Sequence, residues 1–280
     1  MMIEEGQVYM IFEYMDHDLS GILSQPDFKL NESNIRFIFR QMIEGLAFIH
    51  QRGILHRDIK GSNILISNTG QIKLADFGLA RSVDLVNPHA HYTNRVITLW
   101  YRPPELLLGA TKYNGSIDVW GMGCLLVELY TRRAIFPGHD EISQLNYIYN
   151  IMGTPKEGQW PLNERSNLPW WPLLHPHEET DSKFLTNYQS NMSPVALDLT
   201  LKMLTWNPRV RISASDVLQH EYFTSGQPEA CPEGFEGLGE WHEFEAKKWK
   251  KQQREIMRKK QKESERAREK ENDKKETEKV

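Results

Sequence analysis

The chain has 280 residues, 34 Lys+Arg against 38 Asp+Glu for a net charge of −4, and 39% apolar residues. That is enough apolar material for one large core or two modest ones. Charge is uneven: residues 241–280 hold 15 Lys+Arg and 10 Asp+Glu, a net of +5, leaving −9 for the rest. This excludes the global basic excess of a dedicated nucleic-acid binder and leaves nucleic-acid contact only to the basic tail. No run of about eighteen apolar residues offers a membrane span, so no membrane partner is expected. Cys124, in an apolar run, and Cys231, in a loop-like segment, make no disulfide framework or metal cluster and favour a reducing compartment. The N-terminus has early acids and no small-residue cleavage site, so it does not read as a signal peptide.

In chain order, QVYMIFEY at 7–14 is apolar on both alternating faces and predicts an internal strand buried on two sides. Residues 16–19 predict a turn into a short helix that Pro26 breaks. Residues 34–49 predict a helix, with Ile35, Phe39, Met42, Leu46 and Ile49 at helical spacing, Asn31 or Ser33 as its cap, and Gly53 beyond its end. Three β-like runs follow at 54–56, 64–66 and 72–75, with NTGQ at 68–71 as a hairpin turn. Helices are expected at 117–130, 140–152, 193–204 and 213–219. From 241 the sequence is dense in charge of both signs. Its start predicts one surface helix held by Trp241, Phe244 and Trp249, and the last thirty or so residues a solvated helix or disorder.

The chemistry-bearing residues concentrate in LHRDIKGSNILI at 55–66 and DFGLA at 76–80. Phosphoryl transfer needs positioning and charge neutralisation more than covalent chemistry. Asp58 is the candidate to accept a hydroxyl proton, and Lys60 alternates back to the same side to neutralise a γ-phosphate. Asn63 and Asp76 offer the oxygen ligands that Mg²⁺ prefers beside substrate phosphates. Either tripeptide alone is weak; the two together, after a helix and among short strands, agree in spacing and context. His56 reads as packing beneath the site. Arg57 and Arg81 are either two solvated arginines or a pocket for a phosphorylated Thr93, in HYTNRVITLWYRPPE. Glu105 and Arg211 are expected to form a buried ion pair. Asp118, in an apolar helix start, is a candidate helix cap, where the family resemblance carried by the next motifs implies instead a bond to the catalytic-loop backbone.

These motifs, with TLWYRPPELLLG and the IFPG…GTP stretch at 135–155, resemble the eukaryotic serine/threonine protein kinases, and within them the cyclin-dependent kinases, over residues 7–224. HDLSGIL at 17–23 and YTNRVITLWYRPPELLLG look most like the transcriptional branch, and LPWWPLL at 168–174 is similar to the fungal catalytic subunits that phosphorylate the RNA polymerase II C-terminal domain. The resemblance implies ATP and Mg²⁺ as cofactors, a cyclin partner, the polymerase heptad repeats as substrate at Ser/Thr-Pro sites, and a nuclear location. It implies that Phe12 stands at the back of an adenine pocket, Glu13 and Met15 present hinge backbone to the base, Asp18 approaches the ribose and Leu65 forms the floor. Val96 and Arg102 would shape a pocket selecting proline after the acceptor.

The implied fold is α+β and protein-kinase-like: mainly the α-helical C-terminal lobe, with one hinge strand of the N-terminal lobe and a charged C-terminal tail. The expected divisions are a strand and hinge remnant at 1–15, the lobe at 16–224 with catalytic loop 55–66 and activation segment 76–105, and an extension at 225–280. No GxGxxG occurs upstream of Phe12, and the only lysine before residue 60 is Lys29, beyond the hinge. The Gly-rich loop, the strand lysine and the cyclin-binding helix of the family are therefore expected to be missing. Two readings stay open: part of an active kinase, shortened and poorly active as it stands, or a catalytically dead lobe that acts by binding.

Overall fold

The computed structural model describes residues 2–4, 7–83, 91–156, 159–160, 168–174, 178–225, 228–249 and 251. At the start, β1 (Met2–Glu4) pairs antiparallel with β2 (Gln7–Tyr9). The strand expected over 7–14 therefore ends at Tyr9. Met10, Ile11, Phe12 and Tyr14 follow as exposed chain outside any strand or helix, because among the described residues no further element packs over them. β3 (His17–Asp18) leads directly into α1 (Leu19–Leu23), whose first turn is capped by the Asp18 carboxylate.

The lobe is organised around α2 (Glu32–Gln51). Asn31 and Asn34 close a reciprocal capping box at its start, and Gly53 takes the left-handed φ of 68° just past its end. Its apolar stripe, including Ile35, Ile38, Phe39, Met42 and Leu46, is fully buried. β4 (Ile54–Leu55) pairs with β7 (Arg81–Ser82), and β5 (Ile64–Ile66) lies between β3 and β6 (Ile72–Leu74) in an antiparallel three-stranded sheet against α2. The 68–71 turn joins β5 and β6 as the sequence predicts.

After α3 (Pro104–Leu107), α4 (Ser116–Thr131) is buried on nearly every side, the pattern of a central core helix. A methyl at Gly121 would meet Ile59 at 3.0 Å, so this glycine lets the loop after β4 lean directly on α4. α5 (Glu141–Met152), α6 (Trp171–Leu174), α7 (Phe184–Tyr188), α8 (Pro194–Met203), α9 (Ala214–Val217) and α10 (Glu221–Thr224) complete the helical body. The helix expected at 213–219 is the single turn α9, and α10 is a further turn beyond it. No described helix is long and apolar enough to cross a membrane.

Residues 228–249 do not project from this body. Asn34 donates to the Ala230 carbonyl, Arg40 pairs with Glu229, and Phe235, 2% exposed, packs on Phe28 and His17. Trp241 bridges to His17, and its carbonyl accepts the Asp18 amide at 3.1 Å. The chain is then helical from 243 to 249. Phe244, expected to hold this helix, is 72% exposed; Ala246 is the residue it buries, while Trp241 and Trp249 meet edge to face.

Candidate active site

Loop 55–63 is gripped from below by one carboxylate. Asp118, wholly buried on the first turn of α4, accepts the backbone amides of His56 (2.9 Å) and Arg57 (2.8 Å) and also faces His50 Nε2 at 2.9 Å. The His56 ring is buried against Phe77, with Nε2 2.9 Å from the Ala75 carbonyl. Arg57 holds a left-handed φ of 65°, a strained conformation for a side chain of this size, and its amide bond to Asp118 fixes it there.

The Asp58 carboxylate is thereby set at the head of the loop. Lys60 Nζ donates to Oδ2 at 2.6 Å, and the Asn63 amide donates to Oδ2 (3.0 Å) and to the Asp58 carbonyl (2.8 Å). From the opposite side Thr98 donates its hydroxyl (2.9 Å) and backbone amide (3.3 Å) to Oδ1. Burial pushes this carboxyl up, but the Lys60 ammonium and the Thr98 hydroxyl outweigh it and hold the pKa below the usual carboxylate range. Thr98 opens the TLWYRPPELLLG motif, but nothing in the sequence assigns it this contact, which reaches Asp58 from 40 residues away.

Asp76 is exposed, in the left-handed region with φ 60°, and its Oδ1 accepts the Gly78 amide at 3.2 Å. With Asn63 it offers a carboxylate and a carboxamide oxygen. Mg²⁺ takes one or two protein carboxylates and completes its shell with water and phosphate, so this sparse donor set fits it. Among the described residues no cluster of three or more His, Cys, Asp or Glu competes for a metal.

The hinge side is less enclosed than the sequence implies. Phe12, expected at the back of a pocket, is 77% exposed, since β2 ends before it and no strand among the described residues covers it. Glu13 pairs through its side chain with Lys73, Met15 is buried, and Leu65 is half-buried at the centre of β5. Asp18 does not present free oxygens to a ribose: Oδ1 accepts the Gly21 amide (2.8 Å) and Oδ2 the Glu243 amide (2.7 Å).

On the far side, Arg57 and Arg81 converge on Tyr92 and Tyr113. Arg57 donates to the Tyr113 hydroxyl at 3.1 Å, that hydroxyl donates to the Thr93 carbonyl at 2.6 Å, and the Arg81 guanidinium lies 5.0 Å from the Tyr92 ring centre. Thr93 itself is exposed. Val96 is buried, but Ile97 carries the geometric anomaly, a β-branched residue at φ 70°. Two nitrogens of Arg102 donate to its carbonyl, at 3.1 and 3.3 Å, while the third pairs with Glu141. Glu105 and Arg211 form a buried bidentate pair at 2.8 and 3.0 Å that ties the 93–105 segment to the helical body.

A family model for the protein kinase domain matches residues 1–223. The chain belongs to the protein kinase family. Among curated kinases it is 51% identical to the CTD kinase subunit alpha of Schizosaccharomyces pombe over 90% of this chain and 42% of that protein. It is 44% identical to the Saccharomyces cerevisiae CTD kinase subunit alpha over 91% and 48%, and 43% identical to cyclin-dependent kinase 12 of Drosophila melanogaster over 90% and 22%. The chain thus spans less than half the length of these kinases. A solved structure of the yeast RNA Pol II CTD kinase CTDK-1 complex superposes with a TM-score of 0.77 at 44% identity, covering 82% of this chain and 75% of that one.

Proposed function

We propose that this chain is the phosphoryl-transfer part of a cyclin-dependent serine/threonine kinase, moving the γ-phosphate of ATP to Ser/Thr-Pro sites such as the RNA polymerase II heptad repeats. The observation that carries this is the Asp58 carboxylate held ionised between Lys60 and Thr98, with Asn63 bracing it. Asp58 accepts the proton of the attacking hydroxyl, and Lys60 neutralises charge on the transferred group. Asn63 and Asp76 hold Mg²⁺, which when bound neutralises and orients the phosphates. The Ile97–Arg102 arrangement supports the proline preference. With its carbonyl already taken by Arg102, Ile97 has little capacity left for a substrate N–H, and proline has none to offer. Arg57 and Arg81 beside Thr93 support a phosphothreonine switch, since a phosphate adds charge that arginine pairs strongly. The similarity to CTD kinase subunits supports a cyclin partner and a nuclear location.

The exposure of Phe12 favours a second reading, in which the chain binds substrate without transferring phosphate. One experiment separates the two: phosphate transfer from labelled ATP to a heptad-repeat peptide, with and without a cyclin, beside nucleotide binding measured directly. Transfer that Asp58→Asn abolishes is the expected result. Peptide binding with no nucleotide binding and no transfer overturns the kinase reading in favour of the second.

A further inference from the structure

A cavity of about 360 Å³ opens where the end of α2 and β4 meet the start of α4 and the 207–214 segment. Asp58, Lys60, Asn63, Asp76 and Thr98 do not line it, so it is separate from the active site. Its size is that of a small-molecule site.

The lining is of two kinds. Leu55, Val83, Val119, Pro208, Ile212 and Ala214 make an apolar surface. Asn114 and Arg209, both exposed to solvent, supply donors beside it. Asn114 Oδ1 accepts the Ser116 amide at 3.0 Å, which leaves the carboxamide NH2 to donate outward. The Arg209 guanidinium has several N–H donors and no acceptor. Among the described residues no Asp or Glu lines the cavity. The carboxylates that hold the lining residues His50 and Arg211 are Asp118 and Glu105, both buried behind them.

We propose that this cavity binds a small organic anion with an apolar body, its head on Arg209 and Asn114 and its body on Leu55, Val119 and Ile212. A cation would meet Arg209 and find no counter-charge in the lining. The place gives the site a consequence. Val119 follows Asp118 on α4, Leu55 precedes His56, and His50 Nε2 lies 2.9 Å from the Asp118 carboxylate that accepts the His56 and Arg57 amides. A ligand packed on these side chains must leave before that anchor of the catalytic loop opens.

The probe is 8-anilinonaphthalene-1-sulfonate, which has this chemistry and fluoresces on leaving water. N-phenyl-1-naphthylamine is the same body without the charge. On the full 280-residue chain the sulfonate should bind about tenfold tighter than the neutral amine, the worth of one charge-assisted hydrogen bond. Arg209→Gln, a change on an exposed side chain that the fold tolerates, should bring the two affinities together. Val83→Trp, at a half-buried position, should fill the cavity and remove the sulfonate preference with it. Hydrogen exchange then reads the link to the loop. With the sulfonate at ten times its Kd, the His56 and Arg57 amides should exchange about tenfold more slowly in the parent chain and at the unliganded rate in Val83→Trp. Equal affinity for the two probes in the parent chain, or a preference that survives both variants, overturns the site. Unchanged exchange at His56 and Arg57 with the probe bound overturns its hold on the loop.

Discussion

Asp58 is set by opposing forces, and they can be separated. Because its folded pKa is depressed, the carboxylate stays charged as pH falls through the ordinary carboxylate range. The stability and proton-accepting capacity it contributes are lost only when pH falls through the depressed value. Lys60→Met leaves burial as the leading influence, so the acid limb of kcat/KM for peptide phosphorylation should move to higher pH. A limb that stays in place rules out Lys60 as the group that depresses it. Asp58→Asn should lower kcat by about 10²–10⁴-fold with little change in peptide KM, which steady-state kinetics would read. Asp58, Lys60 and Asn63 were legible because they lie within one six-residue stretch whose spacing itself carries chemistry. Thr98 and Ile97 were not. A threonine bonding across 40 residues leaves no periodicity, and a β-branched residue gives no hint of a positive φ that only its surroundings can impose.

At the scale of elements, legibility followed how local the cause is. α2 was readable because its stripe, cap and terminal glycine all lie within 23 residues, and its observed bounds differ from the expected ones by two residues at each end. The strand at 7–14 failed because a doubly apolar run says only that both faces want cover, not that cover is present. The 93–105 segment depends on a contact that sequence could suggest only by residue type, the Glu105–Arg211 pair. Arg211 also donates to the Ser116, Thr205 and Trp206 carbonyls, so removing the carboxylate takes two of its five hydrogen bonds and leaves a buried guanidinium without its counter-charge. Glu105→Ala should cost about 3–5 kcal/mol in urea unfolding with m unchanged; a loss under about 1 kcal/mol would mean the pair is solvated in solution.

Across the whole molecule, the point that charge composition concealed is that the C-terminal extension begins as part of the body. The sequence predicts for it only a surface helix from 241 and a solvated end, yet already Phe235 fills a site between Phe28 and His17, and the Trp241 carbonyl lies where a methyl on Gly21 would sit, 2.1 Å away. Asp18 then links the two ends of this arrangement, capping α1 with one oxygen and holding the Glu243 amide with the other. If residues 228–249 belong to the same cooperative unit as the catalytic loop, loosening them must loosen that loop. Phe235→Ala should cost about 3–5 kcal/mol, lowering Tm by about 6–20 °C for a body of this size, in a single transition. Hydrogen exchange at the His56 and Arg57 amides, which Asp118 protects, should accelerate by the same free energy as the amides of 243–249. Two separate melting transitions, or catalytic-loop amides that exchange at the wild-type rate, would instead make the extension an appendage that melts alone. Glu243 and Lys247, which line a cavity with Lys60 and Thr98, would then be lost from it while Asp58 kept its partners, because Lys60 and Thr98 reach Asp58 without crossing the extension.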